Sequence, residues 1–202
     1  MTHFSSPNLA NPGGVAAADP GCVAASDWVQ RWSHVVRPQS TVLDVACGSG
    51  RHTRWFHERG CAVTAIDRDA HALSGLHGMA RTVLADLEGA PWPLAGERFD
   101  AVIVTNYLWR ALLPEVARSV AEAGVLIYET FAVSNASVGK PSNPDFLLRP
   151  GELLQVAAQH DLRVVAFEDG FARRPDRYLQ RLVAVHESAA STDGARWTLD
   201  GC

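Results

Sequence analysis

Residues 41–60, TVLDVACGSGRHTRWFHERG, constrain the fold more than any other part of this chain. They begin with apolar and β-branched residues that only Asp44 interrupts, a pattern that predicts a buried strand. Residues 47–50 are small and include two glycines, so they predict a tight turn. From Arg51 onward, apolar residues recur at helical spacing. The order strand, glycine turn, helix is the opening unit of a nucleotide-binding α/β domain.

Strand and helix patterns alternate along the rest of the chain. Apolar runs predict strands at residues 41–45, 61–67, 81–86, 99–108, 124–132, 162–170 and 178–188. Amphipathic runs predict helices at residues 26–37, 51–60, 68–78, 112–123 and 149–160. Because no helical pattern separates the last two strands, they can pair antiparallel. The predicted fold is α/β: a doubly wound, mostly parallel seven-stranded sheet with an antiparallel last strand.

The chain has 202 residues, of which 47% are hydrophobic, enough for one domain with a substantial core. Residues 1–22 are rich in small residues and proline without periodicity, so we predict a flexible N-terminal segment. Residues 23–187 form the predicted domain, which includes an N-terminal helix, and residues 188–202 form a C-terminal tail.

Charge and cysteine usage exclude several classes of function. The formal net charge is -4, so we expect no nucleic-acid partner. The basic run FARRPDRYLQR at residues 171–181 is interpreted as a solvated loop and strand start. The four cysteines have no metal-ligand spacing, and we predict no metal site. No apolar run is long enough to cross a bilayer, and the N-terminus has no secretory-signal pattern, so we predict a cytoplasmic protein. We expect a monomer or a homodimer.

Asp44 decides which nucleotide suits the glycine turn. A pyrophosphate at the turn would suffer from a fixed carboxylate beside it. In addition, Thr53 stands where the dinucleotide fingerprint requires glycine or alanine. S-adenosylmethionine instead carries an ammonium and a sulfonium group, so an acid under the turn becomes favourable. Asp44 therefore favours S-adenosylmethionine over NAD.

Two further acids end the second and third predicted strands. Asp67 stands where a carboxylate accepts hydrogen bonds from ribose hydroxyls, although it could also cap the following helix. Asp86 stands where its side chain can meet the adenine amino group, and Leu87 and Leu108 could sandwich the ring. Three acids at three consecutive strand ends fit this ligand better than a phosphate ester.

The run VLDVACGSGRHT, followed by AIDRD, ADLE and FDAVIVTNYL, resembles the class I S-adenosylmethionine-dependent methyltransferases, whose fold is Rossmann-like. The resemblance covers about residues 42–185 and implies S-adenosylmethionine as the cofactor. Ala46 departs from the family pattern, which usually has its first glycine there. With the strand-end residues, the candidate cofactor-binding set is Asp44, Ala46, Gly48, Gly50, Asp67, Arg68, Asp86, Leu87, Asn106 and Leu108.

The acceptor is expected over the ends of the fourth and fifth strands. Glu129 is the candidate general base, and Tyr107 and Arg110 are candidate orienting groups, so these three form the predicted catalytic set. Candidate acceptor-binding residues are Trp28, Trp32, Tyr107, Phe131, Asn143 and Phe146. Residues 134–146 form a long polar connection of the kind that serves as a lid.

The leading hypothesis for function is methyl transfer from S-adenosylmethionine to a small-molecule acceptor. Two alternatives remain open: a methyltransferase that modifies RNA or protein, and a non-catalytic S-adenosylmethionine-binding regulatory module. A nicotinamide oxidoreductase is disfavoured by Asp44.

Overall fold

The structure is a computed structural model that describes residues 23–187. The N-terminal segment and the C-terminal tail predicted from the sequence lie outside the described residues. The elements, in chain order, are α1 (Asp27–Trp32), β1 (Thr41–Val45), α2 (Arg51–His57), β2 (Ala62–Asp67), α3 (Ala70–Ser74), β3 (Ala80–Leu84), β4 (Phe99–Thr105), α4 (Leu113–Arg118), β5 (Val120–Phe131), α5 (Glu152–Gln159), β6 (Leu162–Ala172) and β7 (Arg177–His186).

The seven strands form one sheet in the order β3-β2-β1-β4-β5-β7-β6. β1 to β5 pair in parallel, whereas β7 runs antiparallel to both of its neighbours, β5 and β6. After β5 the chain passes through α5 to β6, which forms the edge of the sheet. The β6–β7 hairpin then brings β7 between β6 and β5. The predicted fold class is therefore confirmed, including the inserted antiparallel strand.

All five predicted helices are shorter than expected, and two of them show why. The helix predicted at residues 112–123 ends at Arg118, because residues 120–123 belong to β5 and Val120 pairs with Phe99. The sheet continues there through a bulge in which Ala123 has a φ of 62°. The helix predicted at residues 68–78 is reduced to α3, and Asp69 caps it. In both cases tertiary contacts override local helical spacing.

The sheet buries a core on each face. One core lies against α4 and α5 and contains Val104, Leu126 and Leu153. The other lies against α1 and α2 and contains Trp28, Trp32 and Phe56. Because side chains alternate along each strand, every central strand contributes to both cores. None of the helices between residues 23 and 187 has the length and apolarity that a membrane span requires.

Helix α1 is tied to the rest of this second face by hydrogen bonds at its start. The Ser26 hydroxyl accepts from the Val29 N–H, which makes Ser26 the N-cap of α1. The Ser26 N–H donates to His52 Nε2 at 3.2 Å, and the other ring nitrogen of His52 lies 3.3 Å from Thr105 Oγ1. Burial lowers the pKa of His52 to about 3, so the ring is neutral. These contacts bring residues 23–26 beside the carboxyl end of β4.

Candidate active site

A cavity of about 450 Å³ lies at the carboxyl ends of β1 to β4, the edge of an α/β sheet where ligands bind. Seven of the predicted cofactor residues line it: Ala46, Gly48, Asp67, Arg68, Asp86, Leu87 and Asn106. Asp44, Gly50 and Leu108 do not line it. The strand ends named by sequence pattern thus meet around one cavity, and three of the predicted residues lie outside its wall.

Asp67 joins the end of β2 to the glycine turn. Its Oδ2 accepts a hydrogen bond from the Gly48 N–H at 2.8 Å, and its Oδ1 accepts from the Asp69 N–H at 2.9 Å. The alternative role of Asp67 as the cap of α3 does not apply, because the Asp69 carboxylate accepts from the His71 and Ala72 N–H groups. Asp67 is therefore held against the turn while its side chain remains in the cavity wall.

Gly50 shapes the turn from behind. It is the N-cap of α2 and has a φ of 78°, a left-handed conformation that only glycine adopts readily. A Cβ at this position would also meet the Leu76 side chain, 2.7 Å from Cδ1, and Leu76 is fully buried. Gly50 thus allows α2 and the segment after α3 to pack closely, and it does not touch the cavity.

Asp44 lies beneath the turn and is 1% exposed. Its Oδ2 accepts a hydrogen bond from Thr53 Oγ1 at 2.6 Å. Burial is the largest influence on its pKa and raises it to about 6, although the hydrogen bond from Thr53 opposes this. Asp44 therefore does not contact a ligand in the cavity. It can influence one through its charge and by supporting the glycine turn above it.

The side of the cavity that we call the acidic end is formed by Asp67, Asp86 and Glu88. Tyr107, predicted as a catalytic and acceptor-binding residue, lies at this end. Burial raises the pKa of Tyr107, and the nearby Glu88 and Asp86 carboxylates raise it further. Its hydroxyl is buried and has no hydrogen-bond partner among the described residues, so it is available to a ligand in the cavity.

Leu108 follows Tyr107 but points away from the cavity. It is 3% exposed and packs in the core against α4 and α5. The cavity wall at the ends of β3 and β4 therefore includes Leu87 and the Tyr107 ring, without a second leucine.

On the opposite side of the cavity, Arg51 lines the wall. Glu129, Arg177 and Arg181 do not line the cavity but lie near Arg51, and we call these four residues the arginine end. Glu129 is 1% exposed, and its Oε2 accepts a hydrogen bond from Arg181 Nε at 2.6 Å. Its other oxygen, Oε1, is buried and has no partner between residues 23 and 187. The carboxylate is thus oriented by one partner and keeps one oxygen free.

Backbone pairing places Glu129 next to the cavity. Thr105 and Glu129 are register partners in β4 and β5, and the Asn106 N–H donates to the Glu129 carbonyl at 2.9 Å. Thr105, Asn106 and Arg51 all line the cavity. The cavity therefore reaches from the acidic end to Arg51, and Glu129 lies next to its wall without lining it.

Arg110, predicted as an orienting group, is bound elsewhere. Its Nε and Nη2 donate to the two carboxylate oxygens of Glu152 at 2.7 and 2.9 Å. Its Nη1 and Nη2 also donate to the carbonyls of Asp145 and Leu147, at 2.8 and 2.7 Å. Arg110 thus fastens residues 145–147 to α5 and does not line the cavity.

Five predicted acceptor-binding residues also lie outside the cavity wall. Trp28 and Trp32 are buried in the core against α1 and α2. Asn143 accepts a hydrogen bond from the Asp145 N–H, and Phe146 is 37% exposed. Phe131 is half-buried at the end of β5. In this structure these residues shape the surroundings of the site.

Sequence reasoning missed several residues of the site. Arg51, Thr105 and Glu88 line the cavity, and Arg181 holds Glu129. Arg51 had a readable signal, since it directly follows the glycine turn. The positions of Arg177 and Arg181 depend on the insertion of β7 beside β5, so no local pattern revealed their role.

The chain resembles known methyltransferases in sequence. A family model described as a methyltransferase domain matches residues 42–124. A malonyl-[acyl-carrier protein] O-methyltransferase from Enterobacter lignolyticus is 32% identical over 102 residues, which cover 46% of this chain and 40% of that protein. A ribosomal RNA small subunit methyltransferase H from Gemmatimonas aurantiaca is 39% identical over 77 residues, which cover 32% of this chain and 24% of that protein. This chain thus spans less than half the length of either relative.

The fold also has close counterparts among solved structures. An S-adenosylmethionine-dependent methyltransferase from Methanosarcina mazei superimposes with a TM-score of 0.64 at 12% identity, covering 82% of this chain and 100% of that chain. At this identity the likeness concerns the fold alone.

Proposed function

We propose that this chain is a class I S-adenosylmethionine-dependent methyltransferase that transfers a methyl group to a small-molecule acceptor, because residues 42–124 match the model of a methyltransferase domain. The observation that carries the proposal is the cavity at the strand ends, with carboxylates at one end and the oriented Glu129 beside the other.

The residues of the cavity suit the parts of the cofactor in order. The glycine turn would lie against the methionine part, and Asp67 would accept from the ribose hydroxyls. Asp86, Leu87 and the free Tyr107 hydroxyl would bind the adenine side. When bound, the cofactor supplies an electrophilic methyl group on a positively charged sulfur. The acidic end, with Asp44 beneath it, favours that positive charge over a phosphate.

The chain's own contribution to the reaction is orientation and proton acceptance. Holding an acceptor in line with the methyl group accounts for up to roughly 7–11 kcal/mol of a barrier. Glu129 Oε1 is free to accept a hydrogen bond or a proton from the acceptor, while Arg181 fixes the carboxylate through Oε2. Glu129 is therefore our candidate general base.

A small acceptor is favoured over a macromolecule. The names of two relatives indicate an acyl-carrier protein and a ribosomal RNA as acceptors, so the family match alone does not choose between acceptor classes. Here the oxygen of Glu129 that would receive the acceptor is buried, and the formal net charge of -4 provides no general attraction for RNA. Methylation of ribosomal RNA that weakens steeply with salt would contradict the small-acceptor proposal.

The cofactor is tested by thermal-shift titration with S-adenosylmethionine, S-adenosylhomocysteine and NAD. A ligand that binds the native state raises the melting temperature by mass action, and we expect this for the two sulfur compounds only. Asp67→Asn should weaken S-adenosylhomocysteine binding by roughly ten- to a hundredfold, since hydrogen bonds to a charged group are lost. Asp69→Asn removes the same charge two residues away but preserves a helix cap, so its binding should match the parent protein. Stabilisation by NAD alone would contradict the proposed cofactor. Equal loss of S-adenosylhomocysteine binding in Asp67→Asn and Asp69→Asn would contradict the role of Asp67.

A further inference from the structure

Three polar groups at the arginine end have no partner among residues 23–187. Glu129 Oε1 and Arg177 Nε are both buried atoms without a hydrogen bond. The Arg51 guanidinium lines the cavity, and no hydrogen bond or ion pair joins it to a described residue. One group is a hydrogen-bond acceptor and the other two are cationic donors. A ligand that carries both an anionic group and a hydrogen-bond donor would satisfy all three.

The fold places these groups on the same face of the sheet. Arg177 and Arg181 are four residues apart on β7, so side-chain alternation directs both to one face. This is the face of Glu129, the partner of Arg181, and it is also the face on which α2 packs. Burial lowers the pKa of Arg51, the Glu129 charge raises it, and the Arg177 charge lowers it, so the three groups are close enough to interact.

The charges at this end do not balance. Arg181 neutralises Glu129 and also donates to Glu168 at 2.9 Å, and Glu168 in turn pairs with Arg31. Within residues 23–187, neither Arg51 nor Arg177 forms an ion pair with a carboxylate, although the nearby Asp44 and Glu129 charges raise the pKa of Arg51. Two like charges that are partly desolvated disfavour each other, and an anion between them would relieve that repulsion.

Resting on the proposed methyl transfer, we propose that the acceptor is a small hydroxy or amino acid. Its carboxylate would bind to Arg177 and Arg51, and its O–H or N–H would donate to Glu129 Oε1. The acceptor oxygen or nitrogen then forms a bond to the methyl carbon, and the electron pair of the carbon–sulfur bond stays on sulfur. The acceptor proton passes to Glu129 Oε1, which balances the step.

The first experiment compares acids with their amides. Protein saturated with S-adenosylhomocysteine is titrated by calorimetry with small aromatic and aliphatic hydroxy and amino acids and with the carboxamide of each. The same panel is tested for turnover with S-adenosylmethionine. We expect at least one acid to bind and to be methylated with at least tenfold preference over its amide. Equal use of acids and amides, binding of neither, or turnover of RNA in place of the panel, would overturn the inference.

Substitutions then assign the anion site. Arg177→Gln should raise the KM and Kd of the acid by roughly ten- to a hundredfold and leave the kcat and S-adenosylhomocysteine binding within twofold. Arg177→Lys keeps the charge and should retain part of the preference for acid over amide. Arg173→Gln removes one charge from the exposed turn of the same hairpin and serves as the matched control.

Failure of this inference is distinguishable from failure of the proposed function. If Arg51→Gln weakens S-adenosylhomocysteine binding while Arg177→Gln leaves acid binding unchanged, the anion bound here is the cofactor's own carboxylate. The inference is then wrong and the methyltransferase proposal survives. Equal effects of Arg177→Gln and Arg173→Gln would also overturn the anion site, since only the general charge would matter.

Discussion

The two ends of the cavity differ in charge and in how completely their polar groups are satisfied. At the acidic end, the Asp67 carboxylate already accepts from two backbone N–H groups, and Asp44 accepts from Thr53. At the arginine end, Glu129 and Arg177 each keep a buried polar atom without a partner in residues 23–187. The comparison teaches that the carboxylates of the acidic end are held before a ligand binds and that the Tyr107 hydroxyl is left for one, whereas the arginine end leaves both a donor and an acceptor.

The charges of the two ends match different ligands. Carboxylates of β2 and β3 suit a cationic cofactor, and arginines of α2 and β7 suit an anionic acceptor. A substitution at one end should therefore change one binding step and spare the other. The following predictions use that separation, from the largest effect to the smallest.

Glu129→Gln tests the arginine end most severely. A general base contributes typically 10²–10⁴-fold to a rate, so we expect a fall of about that size in kcat with the true acceptor. Glutamine keeps an oxygen that can accept from Arg181, so the fold should be retained. Binding of S-adenosylhomocysteine, measured by calorimetry, should stay within about twofold of the parent protein.

Glu187→Gln is the matched control for this loss. Glu187 follows β7 and pairs with Arg163 of β6 at 2.7 Å. This pair lies at the end of β7 that is far from Arg177 and Arg181. Its turnover should equal that of the parent protein. Full turnover in Glu129→Gln would remove the base role and leave Glu129 as a binding residue at most.

Gly50→Ala tests the acidic end through its packing. A left-handed conformation costs a non-glycine residue roughly 1–2 kcal/mol, and overpacking adds roughly 1–3 kcal/mol. The new Cβ meets buried Leu76, so urea denaturation should show a loss of about 2–5 kcal/mol and weaker cofactor binding. Gly60→Ala is the control, because Gly60 has a φ of 77° but no atom within 4 Å of an added Cβ. Equal losses in both variants would mean that the contact with Leu76 has no energetic weight.

Asp44→Asn should change the free energy of unfolding less than Gly50→Ala does, and should raise it at neutral pH. Burial raises the pKa of Asp44 from its ordinary value of 3.8 to about 6, so the native state binds the proton more tightly than the unfolded state. Stability therefore falls as pH rises from about 4 to about 6, by roughly 2–3 kcal/mol. Asparagine avoids the buried charge and still accepts from Thr53, so the variant should be more stable at pH 7 and nearly equal to the parent at pH 4.

Urea denaturation at both pH values measures this difference. Asp169→Asn, an exposed substitution on β6, is the control and should leave the free energy of unfolding unchanged at both. If Asp44→Asn is less stable than the parent protein at pH 7, burial of the charge is not the dominant influence on Asp44. If Asp44→Asn is more stable but binds the cofactor more weakly, the Asp44 carboxylate contributes to cofactor binding at a cost in stability.

The acidic end was largely predictable because its residues follow one another along the chain. Asp44, the glycine turn, Asp67 and Asp86 each end or follow a strand, and parallel strands bring their carboxyl ends to one edge. From the sequence, Asp67 could be either a helix cap or a cavity residue. The hydrogen bond that it accepts from the Gly48 N–H holds it at the glycine turn, in the cavity wall.

The arginine end was less predictable because its partners are distant in sequence. Glu129 was a candidate from its strand end, but its partner Arg181 lies 52 residues away. Arg110 and Tyr107 illustrate the limit: both follow β4, yet one fastens α5 and the other lies at the acidic end. Side-chain direction after a strand depends on what packs there, and local pattern does not report it.

The sequence by itself determined the α/β alternation, the glycine turn and the acids at the strand ends, because apolar periodicity and turn chemistry are local properties. Only the tertiary structure decided that β7 enters beside β5 and brings Arg177 and Arg181 to Glu129. That choice depends on strand pairing and burial across the whole sheet, where free energy is summed over contacts that no short segment contains.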